Sequence, residues 1–334
     1  MGFQKKEEIL SFIGGKVLVF GATGTGKSTF AGTFPKINLV DSEDGNAYYI
    51  ESNPNIIGVL RTTSATEVQD TLDELNDEDT LKEFESVVVD SGTKLYENMQ
   101  AAAYEIVEKR ARKQLRKGKD VDIEDLNLSQ RDWGHIKRWN QQLKTAYIIF
   151  SSQGKWIVEV AHQKDVFRDA TDDEKKKNID RVKIGEAPDL AKKAEYDFDI
   201  IIQMFTEEDK EGNIKYFGKV LKDRTSVTQK GDIIENPSFQ TWCKKWESTK
   251  KYGVKNPLDL SKGIKKDKEV MEIEDEQAEE IANSIKDFLK GASTENQKKI
   301  GKKMRELEIN IKALANNDLE KLQEVLEFAE ALKK

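Results

Sequence analysis

The sequence predicts an α/β fold with a mostly parallel sheet and a small all-α module behind it, and three observations predict this. Residues 16–20, KVLVF, are a short apolar run leading directly into a glycine-rich loop. A second apolar run, ESVVVD at 85–90, ends in Asp90. Between and beyond them, strand-length apolar runs alternate with stretches of helical periodicity, the pattern of a parallel sheet covered by helices.

The first strand is apolar throughout, as suits a strand buried on both faces. The loop after it, Gly21-Ala22-Thr23-Gly24-Thr25-Gly26-Lys27-Ser28-Thr29, has the Gly-x-x-x-x-Gly-Lys-Ser spacing, and STFAGTF can open a helix behind it. In that order, backbone N–H groups can turn inward around phosphates and the helix N-terminus adds positive potential. Lys27 is expected at the β- and γ-phosphates and Ser28 on Mg²⁺, so ATP and Mg²⁺ are the expected cofactors. Strand candidates follow at 37–45 and 56–67, then a helix in ATEVQDTLDEL. Asp90 closes its run where a strand-end carboxylate holds Mg²⁺.

Helices are expected over about 94–114 and 130–150, and KWIVEVAHQ at 155–163 reads as another buried strand. Glu43, Asp90 and Gln163 then all end strands and can converge on a nucleotide. Glu43 is best placed to polarise water, with Asp41 and Asp44 as competitors. Further on, IIIQMF and KYFGKVLKDRT flank DKEGN, a β-hairpin with a Gly-Asn turn, and Trp242 and Trp246 share a helical face that reads as core. Residues 1–246 are therefore expected as the core and 247–275, rich in Lys, Glu, Asp, Gly and Pro, as a charged linker. Residues 276–334 are expected as a helical module with Thr294 and the Asn316-Asn317-Asp318 stretch as helix starts.

Composition narrows the function. With 35% charged and 37% apolar residues in 334, the chain suits a soluble protein with a sizeable core. The net charge of −7 argues against a uniformly basic nucleic-acid binder, so a DNA site would be a local patch. The densest candidate is Lys109, Arg110, Arg112, Lys113, Arg116, Lys117 and Lys119. A second candidate is the loop expected over 164–187, with seven basic and seven acidic residues and Phe167 as a possible base-stacking group. One cysteine, Cys243, and two histidines, His135 and His162, leave no disulfide framework and no ordinary structural zinc site, in keeping with the cytoplasm. No signal peptide or membrane span is expected.

The ordered set GATGTGKST, LVDSED, VVVDSGT, VEVAHQ and KVLKDRT resembles the ATPase core of RecA-like recombinases, and is most similar to the short phage-encoded members of that group, the single-strand annealing-type ATPases. The resemblance covers about residues 14–246. It implies that Glu43 activates water, that Asp90 holds magnesium, and that Gln163 senses the γ-phosphate and relays to a DNA-binding loop, with His162 in place of the usual asparagine. It also implies that Lys222 and Arg224 reach a neighbouring subunit's nucleotide in a ring or filament. The implied function is a DNA-stimulated ATPase that binds single-stranded DNA and promotes annealing or strand exchange in phage recombination, in the host cytoplasm. Rivals are a hexameric helicase or helicase loader, which shares the core, and a small-molecule kinase, for which no acceptor motif is present. The C-terminal module has two candidate roles beyond a solvated appendage or oligomerisation aid: binding DNA through Lys298, Lys299, Lys302, Lys303 and Arg305, or docking a partner such as a single-strand-binding protein.

Overall fold

The computed structural model describes residues 5, 10–118, 122–123, 126–171, 180–253 and 260–332. The chain divides into two compact units, Met1–Leu258 and Asp259–Lys334. The first is built on a nine-stranded sheet among the described residues. Its strands are β1 (Gly15–Gly21), β2 (Ile37–Asp41), β3 (Ile56–Arg61), β4 (Ser86–Asp90), β5 (Trp156–Asp169), β6 (Arg181–Pro188), β7 (Ile200–Glu208), β8 (Ile214–Asp223) and β9 (Ile233–Glu235). They lie in the order β3-β2-β4-β5-β1-β7-β8-β9, with β6 paired to the far part of β5. The pairs from β3 across to β7 are parallel, while β7–β8, β8–β9 and β5–β6 are antiparallel. This is the mostly parallel α/β sheet expected.

Alternation along β1 places the helices. Leu18 and Phe20 face one side of the sheet, in a core with Val68, Leu72, Leu143 and Phe150. Val17 and Val19 face the other, with Phe30, Phe34, Trp242 and Trp246. Successive side chains of a strand point to opposite faces, so a strand buried on both must be apolar throughout. The covering helices are α1 (Lys27–Ala31), α2 (Ala47–Ser52), α3 (Ala65–Glu74), α4 (Gly92–Leu115), α5 (Gln130–Ser152) and α6 (Gln240–Lys250). Ser64 caps α3, Ser91 caps α4, and Ser129 with Asp132 forms a reciprocal capping box on α5. The two tryptophans of α6 are core, as expected.

Helices α4 and α5 form an arm. The carboxyl half of α5 packs on the sheet through Leu143, Ala146, Tyr147 and Phe150. Its amino half leaves the sheet and meets α4 in a separate cluster of Met99, Ala103 and Ile136. Arg110 Nη1 pairs with Asp132 Oδ1 at 2.7 Å, so the two helices run antiparallel. Because α4 starts at the carboxyl end of β4, the arm stands beyond that end of the sheet.

Three expectations are corrected. Residues 164–187 are not a plain loop: β5 runs on to Asp169 and pairs antiparallel with β6. Alternating side chains in RVKI and β-branched and aromatic residues in DVF favour the ladder, and the mixed charge conceals this. The stretch 247–275 is not all linker, since α6 continues to Lys250 and α7 begins at Leu260. Its Lys and Glu are strong helix formers, which outweighs their look of a solvated spacer. The helix that opens near Thr294 is capped by Ser293, whose side chain accepts the Asn296 N–H. Lys119 lies outside the described residues.

The second unit consists of α7 (Leu260–Gly291), α8 (Thr294–Glu306) and α9 (Leu319–Ala331), with Asp318 capping α9. Its core joins Ala282, Ile285, Ile300, Met304, Leu322 and Val325.

Candidate functional site

The parallel register brings the site together. Gly21 of β1 lies beside His162 of β5, and Asp41 of β2 beside Asp90 of β4. The carboxyl ends of four strands thus meet below the glycine loop, where α/β sheets bind ligands.

In the loop, Gly24 and Gly26 have φ of 77° and 84°, open to glycine at little cost. A Cβ on Gly26 would lie 3.1 Å from the Tyr216 ring, so Gly26 is also required by close approach. Thr25 Oγ1 donates to the Ala22 carbonyl at 2.8 Å and locks the turn. Lys27 Nζ donates to the same carbonyl at 2.8 Å. Burial lowers the Lys27 pKa, against the pull of Asp90 and Glu43. Ala22, Thr23 and Thr29 are exposed at the rim.

Ser28 Oγ donates to Asp90 Oδ2 at 2.7 Å, so the two residues expected on magnesium are in contact. Asn46 Nδ2 bridges Asp41 Oδ1 and Asp90 Oδ2, each at 3.3 Å. Burial lifts the Asp90 carboxyl above its ordinary range; hydrogen bonds from Ser28 and Asn46 oppose this, while Glu43 and Asp41 add to it. Asp41 Oδ2 is buried without a partner. A buried carboxylate with like charges beside it and an orphaned oxygen next door fit a hard cation. Among the described residues no three His, Cys, Asp or Glu form a metal cage. Mg²⁺ would therefore rest on Ser28 and Asp90 and take its other ligands from phosphate and water, as that ion commonly does.

Glu43 follows β2. Its Oε1 accepts from Ser91 Oγ and lies 2.7 Å from His162 Nε2. Its competitors are placed otherwise: Asp44 is turned outward onto Arg61, and Asp41 is buried against Asn46. Gln163 Oε1 accepts from Gln203 Nε2 at 3.2 Å, which ties β5 to β7 beside the site. Lys222 and Arg224 are not brought to this chain's loop. They lie at the opposite end of the sheet, Lys222 Nζ on the Glu195 carbonyl at 2.9 Å and Arg224 Nη1 on Asp199 Oδ1 at 3.3 Å.

A cleft of about 480 Å³ runs from the loop between Met204, Tyr216, Asn236, Pro237 and Ser238. It offers an apolar and aromatic wall beside the phosphate site, as a nucleotide base requires. Tyr216 and Asn236 were not expected here, nor were Asn46 and Ser91. Ser91 adjoins Asp90 and Asn46 ends the acidic cluster after β2, which are weak local signals; Tyr216 has none, because the β8 register alone delivers it.

No curated protein matches the sequence. Among solved structures, the flagellar accessory protein FlaH from Methanocaldococcus jannaschii aligns with 67% of this chain and 84% of its own, at 11% identity and a TM-score of 0.36. Among the described residues no helix is long and apolar enough to cross a membrane. The family model described as AAA domain matches residues 13–232, from just before β1 to just short of β9, and the chain belongs to this family of P-loop ATPases.

Proposed function

We propose that this ATPase binds single-stranded DNA and uses ATP turnover to promote annealing or strand exchange in phage recombination, as a ring or filament in the host cytoplasm. The observation that carries the reading is the course of β5. One strand passes His162 and Gln163 at the nucleotide site and continues as Lys164–Asp169 into a hairpin beyond the sheet. Beside it stands the α4–α5 arm, held to β5 by Thr93, whose Oγ1 accepts the His162 N–H at 2.9 Å. Over 104–117 and 130–138 the arm carries nine Lys or Arg against three Asp or Glu, in a chain of net charge −7. Backbone phosphates are the natural partner of such a patch.

In the chemistry, Lys27 and the loop N–H groups would hold phosphate oxygens, and Ser28 with Asp90 would hold a cation that supplies charge neutralisation during phosphoryl transfer. Glu43 takes the proton of the attacking water. Lys222 and Arg224, at the far end of the sheet, would act on a nucleotide only across a subunit boundary. Mixing Lys27→Ala subunits with Lys222→Ala/Arg224→Ala subunits is then expected to restore part of the turnover. For the second unit we propose docking of a single-strand-binding protein. Three α8 lysines are engaged within the unit, Lys299 with Glu295, Lys302 with Glu306 and Lys303 with Glu324, which leaves less charge for phosphate.

The test is ATP turnover with and without single-stranded DNA, paired with fluorescence anisotropy of a labelled oligonucleotide across a salt series. Turnover is expected to rise with DNA. Affinity is expected to fall by about 0.7 log units per log unit of salt for each phosphate neutralised. Changing Arg112, Lys113, Arg116 and Lys117 together to Gln should flatten that slope. A folded protein that binds no DNA at low salt, with or without a non-hydrolysable ATP analogue, would remove the recombinase reading and leave the ATPase.

A further inference from the structure

We infer that His162 is the positioning residue for Glu43: its imidazole aims the carboxylate that takes the proton from water. The inference rests on the reading of Glu43 as the base.

The turn that carries Glu43 does not orient its side chain. Asp44, next in sequence, faces away to Arg61, and Asp41 Oδ1 meets Glu43 through its backbone N–H, at 3.3 Å, not through its side chain. The carboxylate is met instead from two other elements: Ser91 Oγ donates to Oε1, and His162 Nε2 lies 2.7 Å from the same oxygen. Among the described residues Oε2 accepts no hydrogen bond, which leaves that oxygen to take a proton from water. So close an approach of Nε2 to a carboxylate is favourable only with the ring proton on Nε2.

The two donors are themselves fixed. Ser91 is the cap of α4, its Oγ accepting the Lys94 N–H at 3.2 Å. His162 is held by its backbone, with its N–H on Thr93 Oγ1 at 2.9 Å and its carbonyl accepting the Asp189 N–H at 2.8 Å. Its ring is half exposed, so the ring contributes little to the core, and among the described residues its polar contact is with Glu43. A side chain that adds little packing but orients a reacting group acts on rate rather than on folding. Because His162 immediately precedes Gln163 and the hairpin strand, any shift of that strand moves the donor. His162 thereby links the hairpin to the carboxylate's aim.

The experiment compares His162→Ala, His162→Gln and Glu43→Gln, each measured for kcat and KM for ATP, with and without single-stranded DNA, and for Tm. His162→Ala is expected to lower kcat about 10-fold, the lower end of what losing an orienting partner costs, with KM and Tm little changed and DNA stimulation lost. His162→Gln, which keeps an N–H donor, is expected to recover most of that kcat. Unchanged or raised kcat in His162→Ala overturns the inference, because the contact would then be idle or restraining. A matching rise in KM also overturns it, since His162 would be a nucleotide contact. So does a His162→Gln protein as slow as His162→Ala with Tm intact. Glu43→Gln separates the levels. If it keeps normal turnover, the base reading fails and this inference with it; if it is inactive while His162→Ala is normal, only the inference fails.

Discussion

The two ends of the same sheet have opposite electrostatic design. At the amino end, charges are matched, although the Ser86 hydroxyl and the Trp156 indole N–H are buried without partners. Lys16 meets Asp199 through both its backbone N–H, at 3.1 Å, and its Nζ, at 2.9 Å, and Arg224 meets the other oxygen at 3.3 Å. Trp242 Nε1 donates to Asp223 at 3.0 Å and Trp246 Nε1 to the Gly154 carbonyl at 3.2 Å, while Phe12, Trp156 and Phe239 pack against Trp246; of these indoles only Trp156 keeps an unpartnered N–H. At the carboxyl end, Asp41 and Glu43 crowd Asp90, with Lys27 beside Asp90 and Glu43; one carboxylate oxygen is orphaned and Asp90 is held above its ordinary range. Balanced charge stabilises the fold by itself, whereas unbalanced charge is completed by a ligand. The same strands can thus serve stability at one end and catalysis at the other.

The largest expected effect tests the amino end. Trp242 is 1% exposed and packs edge-on against Phe30, so Trp242→Ala should cost about 3–5 kcal/mol of stability. Denaturant unfolding measures it, and KM for ATP should stay unchanged in the folded fraction. A large KM change at full stability would mean that the two ends are not separable. Next is Glu43→Gln at the carboxyl end. Turnover should drop roughly 10²-fold or more with ATP binding kept, the scale of a lost general base. If Asp41→Asn or Asp44→Asn does this instead, the base is misassigned. Smaller is Tyr216→Ala, where losing a ring beside the base should raise KM for ATP about 10-fold with kcat retained, at the low end of measured base-stacking energies. An unchanged KM would place the base elsewhere than in the cleft between Met204 and Asn236.

The difference between the ends also sets what was legible in the sequence. Lys27, Ser28 and Asp90 were legible because each belongs to a local pattern, a glycine loop or an apolar run with a terminal carboxylate. The partnership of Glu43 with His162 was not, since it joins residues from β2 and β5 that meet only through the register of β4 between them. Tyr216 was hidden in the same way, brought to Gly26 by the β7–β8 hairpin. The hairpin itself was expected from its turn, and Gly212 has the positive φ of 85° that such a turn needs. The β5–β6 pairing lacked that signal, because the sequence between the two strands carries charge rather than an Asn-Gly pair. Lys222 and Arg224 entered through resemblance alone, and nothing in their own contacts marks them as more than a strand end paired with Asp199 and nearby carbonyls.

The smallest effect expected is also the most direct measure of the imbalance. Burial, with Glu43 and Asp41 nearby, raises the Asp90 pKa in the folded protein. The folded state therefore holds that proton more tightly than the unfolded chain, whose carboxyls titrate near 3.9. Stability from this group is present at low pH and is lost as pH rises through the folded value, so the cost of the buried charge is felt on the high-pH side. Asp90→Asn removes the charge and keeps an oxygen to accept from Ser28. Without nucleotide or Mg²⁺ it should raise Tm at pH 7 by about 2–4 °C, the shift that ~1 kcal/mol produces in a domain of this size. The gain should shrink as pH falls toward the range where Asp90 is already protonated. With Mg²⁺ and ATP the order should reverse, because the unmodified protein gains stability in proportion to its occupancy and the variant loses a cation ligand. Thermal unfolding at pH 7 and near pH 5, each with and without Mg²⁺ and ATP, gives the four values needed. A lower Tm for the ligand-free variant at pH 7 would mean that the hydrogen bonds from Ser28 and Asn46 outweigh the burial of the charge, and that the carboxyl end is balanced before any ligand arrives.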